Sequence, residues 1–227
     1  MQPISHPSPN FGPRREGLVP SLIVLHYTAM PDPDEALERL CSPKYEVSAH
    51  YLIHRDGRLF QLVDEEMRAW HAGAGSWAGM DDINSWSIGI EMDNDGASPF
   101  SEPQMATLET LLPEIMQRWN IDPAGVIGHS DMAPGRKTDP GPRFDWARLA
   151  RQGLAVRSGA SDPTDNFSAE TFRDCATKLG YPTDIDHTTL LASVRLRHRP
   201  WGEGPLAEDD FAALPESLYF LAKNIPG

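Results

Sequence analysis

An aliphatic run at residues 22–25 interrupts a polar opening and predicts a strand buried on both faces. His26 follows it directly, at the C-terminal strand end where sheet proteins place binding groups. Residues 1–19 are rich in Pro, Ser, Asn and Gly, have no period, and read as an extended arm. A short helix is expected over 32–41, with acids in its first turn and Arg39 near its end. Residues 47–54 read as a strand, Arg55-Asp56-Gly57-Arg58 as a hairpin turn, and 59–63 as the returning partner strand. A glycine-rich aromatic loop follows at 70–77. Residues 87–92 form a further buried strand that carries an acid, Glu91, inside its apolar run.

The clearest helix lies at 101–119. Ser101 and Gln104 fit a capping box, and Leu108, Leu111, Leu112, Ile115, Met116 and Trp119 make one stripe, with Pro113 a point of kinking. A short strand at 125–128 then delivers His129. Residues 157–166 have linker composition, and three helical segments come after them. Ser168 caps the first, which carries Phe172, Cys175, Ala176 and Leu179 on one face and ends at Gly180. The second starts about Asp186, carries Leu190, Leu191 and Val194, and stops before Pro200. The third starts near Asp209, carries Phe211, Leu214, Leu218 and Leu221, and is interrupted at Pro215. Strands alternating with helices predict an α/β fold: a central mixed sheet flanked by helices, then a small three-helix C-terminal domain. The expected division is 1–157 and 163–227, the second part too small to be robust alone.

Composition narrows the function. The chain has 227 residues, 40% of them hydrophobic, enough for an ordinary core. Its net charge of −13, spread along the chain, argues against a nucleic-acid partner. Nothing in the sequence is long and apolar enough to span a membrane, and the start lacks a signal-peptide segment, so a cytoplasmic monomer is expected as written. A trimmed start would make it periplasmic. The two cysteines, Cys41 and Cys175, follow no CxxC spacing and read as free thiols.

The densest chemistry lies at 128–142, where a histidine, two carboxylates and a lysine sit among three prolines and three glycines. Such a run predicts an irregular, functional loop. His129 and Asp139 in it, with His26 from the first strand, supply two nitrogens and one oxygen. That is the ligand set of a catalytic zinc site with an open fourth position. His50, His54 and His71 compete as ligands, although each reads more readily as a packed or pocket-lining histidine. Asp131 is nearer to His129, and a loop-bracing hydrogen bond suits it better. Glu91 in a buried strand is costly unless it is paired or bound. It either faces water from an edge strand or acts as general acid/base. Lys137 is either a surface lysine or a stabiliser of developing negative charge.

These pieces in this order resemble the zinc-dependent N-acetylmuramoyl-L-alanine amidases, related to phage amidases and peptidoglycan recognition proteins. The resemblance rests on Leu25-His26-Tyr27-Thr28, Val47-Ser48-Ala49-His50-Tyr51, Arg55-Asp56-Gly57, Ala69-Trp70-His71-Ala72-Gly73, Ser87-Ile88-Gly89-Ile90-Glu91 and the 128–142 loop. It implies that His26, His129 and Asp139 bind Zn2+, that Glu91 is the acid/base, and that Lys137 stabilises the oxyanion. It implies that Trp70, His71 and His50 line the substrate groove. Phage-type members carry a catalytic tyrosine where this chain has Ala49, which leaves the acid/base duty to Glu91. The tail, with Leu196-Arg197-His198-Arg199-Pro200, resembles a small helical peptidoglycan-binding domain. The implied activity is hydrolysis of the amide between N-acetylmuramic acid and L-alanine in peptidoglycan or muropeptides, 1,6-anhydro forms included, for cell-wall turnover or recycling. The rival expectations are a recognition module that binds without cutting, and a zinc hydrolase for another amide.

Overall fold

A computed structural model describes residues 2–159 and 166–215. In chain order the strands are β1 (Ile4–Ser5), β2 (Phe11–Pro13), β3 (Leu22–Tyr27), β4 (Tyr51–Ile53), β5 (Leu59–Gln61), β6 (Met67–Ala69), β7 (Ser87–Met92) and β8 (Val126–Gly128). The helices are α1 (Pro33–Cys41), α2 (Ile83–Trp86), α3 (Glu102–Trp119), α4 (His129–Met132), α5 (Trp146–Arg151), α6 (Ala169–Leu179), α7 (His187–His198) and α8 (Glu208–Ala212). Six strands form one mixed sheet in the order β1-β5-β4-β7-β3-β8. β3 runs parallel to both β7 and β8, and β4 runs parallel to β7 and antiparallel to β5.

The aliphatic run explains why β3 sits inside. Leu22, Ile23, Val24 and Leu25 are fully buried, and alternate residues feed two different cores. Ile23 and Leu25 pack with Ile88, Ile90 and the α3 stripe of Leu108, Leu111, Leu112 and Ile115. Leu22 and Val24 pack on the other face with Ile127, Met132, Phe172, Leu190, Val194 and Phe211. The tail helices therefore share a core with the sheet. Caps fall where the side chains demand them: Asp32, Ser101, Ser168 and Asp186 each accept a backbone N–H at a helix start. Gln104 does not close the capping box expected with Ser101. Its amide donates instead to the buried carbonyls of Ile53 and Asp93, at 2.9 and 3.1 Å, at the end of β4 and just beyond the end of β7.

One expectation gains detail and one needs correction. The arm at 1–19 is extended but docked: β1 pairs with β5 and β2 with β6. Pairs this short leave no periodic signal. The 128–142 run is not irregular throughout, because His129–Met132 forms one helical turn before the first proline at 134 can interrupt it. The third tail helix spans only Glu208–Ala212, and the expected apolar positions Leu218 and Leu221 lie outside the described residues. Among the described residues no helix is long and apolar enough to cross a membrane.

Arg14 anchors the arm. Its guanidinium donates to the carbonyls of Asn84, Ser85 and Ser87 on one side and Glu65 on the other. Burial lowers its pKa to about 10, with Glu65 and Glu66 opposing that shift. Arg14→Met would strip these carbonyls of a charged donor, a loss of about 3 kcal/mol. For a chain this long, the melting temperature should drop by about 6–12 °C. An unchanged circular-dichroism melt would show that the arm is not anchored there.

Candidate active site

The parallel register sets the site. His26 lies opposite Glu91 in the β3–β7 pair, and Leu25 lies opposite Gly128 in the β3–β8 pair. The C-terminal ends of the three strands thus meet at one edge, the usual position of ligand crevices in such sheets. A cavity of about 540 Å3 opens there. His26, Glu91, His129, Lys137 and Asp139 line it, together with Trp70, His71, Arg136 and Arg39. Glu91 stands on an interior strand, which removes the edge-strand reading.

His26, His129 and Asp139 are buried and converge. The two Nδ1 atoms are 2.9 Å apart, and each lies within 3.0 Å of Asp139 Oδ2. The loop that brings Asp139 back is closed by the Ser130 N–H donating to the Asp139 carbonyl at 2.9 Å. Gly128 has no side chain for a reason: a Cβ there would lie 2.8 Å from Pro140 Cδ. The residues ten apart in sequence thus meet through a folded-back loop.

The outer hydrogen bonds decide what the inner atoms present. His129 Nε2 lies 2.8 Å from the Ala72 carbonyl and must donate to it, which leaves its Nδ1 a lone pair in the neutral ring. Ser87 Oγ donates to the Ile83 carbonyl at 2.6 Å, so at 3.3 Å it accepts from His71 Nε2. His71 Nδ1 is then an acceptor for His26 Nε2 at 3.0 Å, and His26 Nδ1 is also a bare lone pair. Two imidazole lone pairs and a carboxylate oxygen face one another at hydrogen-bond distance with no proton between them in these tautomers. That arrangement repels itself unless a cation occupies the centre, and two nitrogens with one oxygen suit zinc. Electrostatics agree. Burial, then the charge of His129, lowers His26 to about 4 against the pull of Asp139. Burial raises Asp139, but its close contacts with His129 and His26 outweigh it and hold the carboxyl well below its usual range. Both groups are in ligand form at neutral pH.

Glu91 has its Oε2 shut off from solvent and without a hydrogen-bond partner among the described residues. Burial, with the nearby Asp139 charge, raises its pKa to about 8, and Lys137 opposes the rise. Such a half-buried acid, with one sealed and unpartnered oxygen beside a cavity, is a candidate proton carrier. Lys137 is half-buried on the same wall.

Three histidines separate clearly. His71 lines the cavity, packs on the bare backbone of Gly89, where a Cβ would lie 2.4 Å from its ring, and braces His26. His50 is fully buried and absent from the cavity wall, contrary to its expected place in the groove. Its Nδ1 accepts the Gly89 N–H at 2.9 Å and its Nε2 donates to the Met67 carbonyl at 3.0 Å, so both nitrogens hold backbone. His54 lies 2.9 Å from Asp56, away from the triad. Asp131 braces the loop as expected, accepting the Gly128 N–H at 2.8 Å. Sequence reasoning missed Arg136. It lies on the cavity wall and donates to the Ala72 carbonyl at 2.7 Å and to the Ala74 carbonyl, tying the two loops together. Its place next to Lys137 was the available signal.

A family model described as N-acetylmuramoyl-L-alanine amidase matches residues 16–142. The chain is 40% identical to N-acetylmuramoyl-L-alanine amidase AmiD of Escherichia coli K12, with 87% of this chain and 81% of that protein covered. It is 35% identical over 160 residues to the 1,6-anhydro-N-acetylmuramyl-L-alanine amidase AmpD of Citrobacter freundii, covering 63% of this chain and 86% of the relative. The solved structure of Escherichia coli AmiD with the substrate anhydro-N-acetylmuramic acid-L-Ala-D-gamma-Glu-L-Lys superposes with a TM-score of 0.77 at 30% identity. That match covers 92% of this chain and 90% of AmiD.

The raised pKa of Glu91 has a thermodynamic consequence. Between the ordinary carboxyl range and about pH 8, the folded protein keeps a proton that the unfolded chain has released. The contribution of Glu91 to stability is therefore complete at low pH and lost as pH rises toward 8. In chelator-treated protein, Glu91→Gln should be more stable to denaturant than wild type, by a margin in unfolding free energy that widens between pH 5 and pH 8 to the order of a few kcal/mol. A margin that stays constant over that range would refute the desolvated, unpartnered state of this carboxyl.

Proposed function

The chain belongs to the N-acetylmuramoyl-L-alanine amidase family, and from that premise we propose that it is a zinc-dependent hydrolase of the amide between N-acetylmuramic acid and L-alanine in muropeptides. The observation that carries the reading is the convergence of His26 Nδ1, His129 Nδ1 and Asp139 Oδ2 within 3.0 Å, with the unpartnered Glu91 carboxyl on the same cavity wall. The three would hold the ion. Bound there, zinc supplies Lewis acidity, which polarises a carbonyl and makes water a nucleophile near neutral pH.

The chain's own residues do the rest. Glu91 takes the proton of the attacking water as its oxygen bonds to the amide carbon. The ammonium of Lys137 faces the carbonyl oxygen as negative charge develops on it. Glu91 then returns the proton to the alanine nitrogen as the C–N bond breaks, so acid and base are one group used twice. Burial suits this exchange, because a carboxyl displaced upward from its usual pKa both accepts and donates near neutrality. Trp70 and His71 line the groove for the glycan and peptide on either side, and His71 also steadies His26.

AmpD is named for a 1,6-anhydro-N-acetylmuramyl substrate, and AmiD is solved with an anhydro-N-acetylmuramic acid peptide. We place 1,6-anhydromuropeptides among the substrates of this chain on that basis, and with them a role in cell-wall recycling. The tail that carries α6, α7 and α8 is proposed to contact the wall polymer. A cavity of about 700 Å3 between α5 and the end of α7 offers Arg151, Arg157 and the exposed Trp201 to an anionic saccharide chain.

Mass spectrometry of products from purified muropeptides tests the reaction. Free peptide beginning at L-alanine should appear, and a chelator should stop it. Products cut elsewhere would overturn the assignment. Variants separate the roles. His26→Ala, His129→Ala and Asp139→Ala should each lose tight zinc binding, since three protein ligands is all such a site has. Full zinc occupancy in all three would sink the ligand set. Glu91→Gln should keep zinc and lose roughly 10²–10⁴-fold in turnover. Near wild-type turnover with zinc bound would remove Glu91 from the mechanism.

A further inference from the structure

The tail meets the wall of the active site through buried charge as well as apolar packing. Asp131 is fully buried on the same helical turn as His129. Its Oδ2 accepts from the Gly128 N–H at 2.8 Å and from Arg197 Nη1 at 2.5 Å, and its Oδ1 accepts from the Tyr181 hydroxyl at 2.7 Å. Arg197 stands on α7, and Tyr181 follows the cap of α6. The second arm of the Arg197 guanidinium donates to the Val126 carbonyl at 3.0 Å, in the strand that leads into His129. One tail arginine thus holds the chain on both sides of a proposed zinc ligand.

The opposite cavity loop is held from the same place. The Ala78 N–H donates to the Gly180 carbonyl at 2.7 Å. Gly180 has φ +114°, and a Cβ on it would lie 2.5 Å from the Trp77 ring, so no other residue fits there without displacing that ring. Trp77 meets the Tyr181 ring edge-on, with centroids 5.0 Å apart. This loop includes Ala72, whose carbonyl orients His129 Nε2. The Ser76 N–H donates to the Met132 carbonyl at 2.9 Å, joining the loop to α4. Tyr181 and Arg197 therefore sit where both irregular loops of the site are fastened.

Apolar contacts tolerate sliding, whereas a carboxylate gripped by three donors has one orientation. We propose that the Asp131–Arg197–Tyr181 cluster makes the tail a positioning element of the metal site. Docking of the tail and binding of the ion at His26, His129 and Asp139 then stabilise each other. The inference rests on the zinc reading above. It extends that reading by giving the tail a task at the site that is separate from contact with the wall. Coupling of this kind is reciprocal: what tightens the ion must also tighten the tail.

The test uses the full chain. Zinc affinity is measured by chelator competition for wild type, Arg197→Met, Tyr181→Phe and Phe172→Leu. Hydrogen exchange in residues 187–198 is followed with and without zinc. Arg197→Met should weaken zinc by roughly tenfold, the scale seen when the outer partners of metal ligands are removed. Tyr181→Phe should weaken it by less. Phe172→Leu perturbs the tail core without touching the cluster, so it should lower the melting temperature and leave zinc affinity unchanged. Zinc should slow exchange in residues 187–198 of wild type. Zinc-independent exchange there, with wild-type affinity in Tyr181→Phe, overturns the proposal even if Arg197→Met fails to fold. If wild type binds no zinc at all, the metal reading falls first and this inference falls with it.

Discussion

The parallel pairing of β3 between β7 and β8 is the constraint on which the rest depends. Side chains alternate along a strand, so a slip of one residue would turn His26 away from Glu91 and put Leu25 at the cavity. The register His26 to Glu91 and Leu25 to Gly128 is protected because both faces of β3 are buried. Every aliphatic residue of that strand already has a place in one of two cores, and no second register satisfies both. The positions of His26 and of the loop beginning at His129 follow from that pairing.

Placing the site at the end of a buried sheet has an electrostatic cost, and the cost is what gives it chemistry. Three electron-rich atoms face one another with their outer nitrogens committed to Ala72 and His71, so the centre calls for positive charge. Among the described residues Glu91 is left with an unpartnered oxygen, which a protein built only for stability would have paired or replaced. The arginines elsewhere make the contrast. Arg118 meets Glu65 at 2.7 Å, and Arg195 meets Asp210 at 2.6 Å, each carboxylate fully engaged. Unsatisfied charge is concentrated where a substrate and an ion would complete it.

Much of this was legible because local and global signals coincide. The 22–25 run could only be an interior strand. The turn at 55–58, the stripe of α3 and the caps at Ser101, Ser168 and Asp186 each state their structure within a few residues. The gathering of His26, His129 and Asp139 was readable from residue type and loop composition, although they lie far apart in sequence. What was hidden depends on partners distant in the chain. The docking of the arm relies on Arg14 reaching the carbonyls of four residues from 65 to 87, and no local pattern encodes that. His50 looked like a groove histidine beside Tyr51, yet its two nitrogens are consumed by Gly89 and Met67. Gln104 matched a capping box but served two strand-end carbonyls instead. In each case a long-range unsatisfied backbone group decided the outcome, and such groups exist only after the sheet has formed.

The same reasoning accounts for how the tail sits. The loops at 72–78 and 129–139 carry the groups that orient His129 and supply Asp139, yet neither belongs to a strand ladder or a long helix. Irregular backbone holds a fixed shape only when its polar groups are tied down from outside. One face of β3 already needs a cover, and α6 and α7 provide it through Phe172, Leu190 and Val194. A segment placed there to bury Leu22 and Val24 necessarily lies against both loops. Tyr181 and Arg197 turn that proximity into specific bonds. Covering the sheet and bracing the site are thus one packing solution, in which apolar contacts set where the tail lies and the bonds of Tyr181 and Arg197 fix the backbone on which the proposed ligands are mounted.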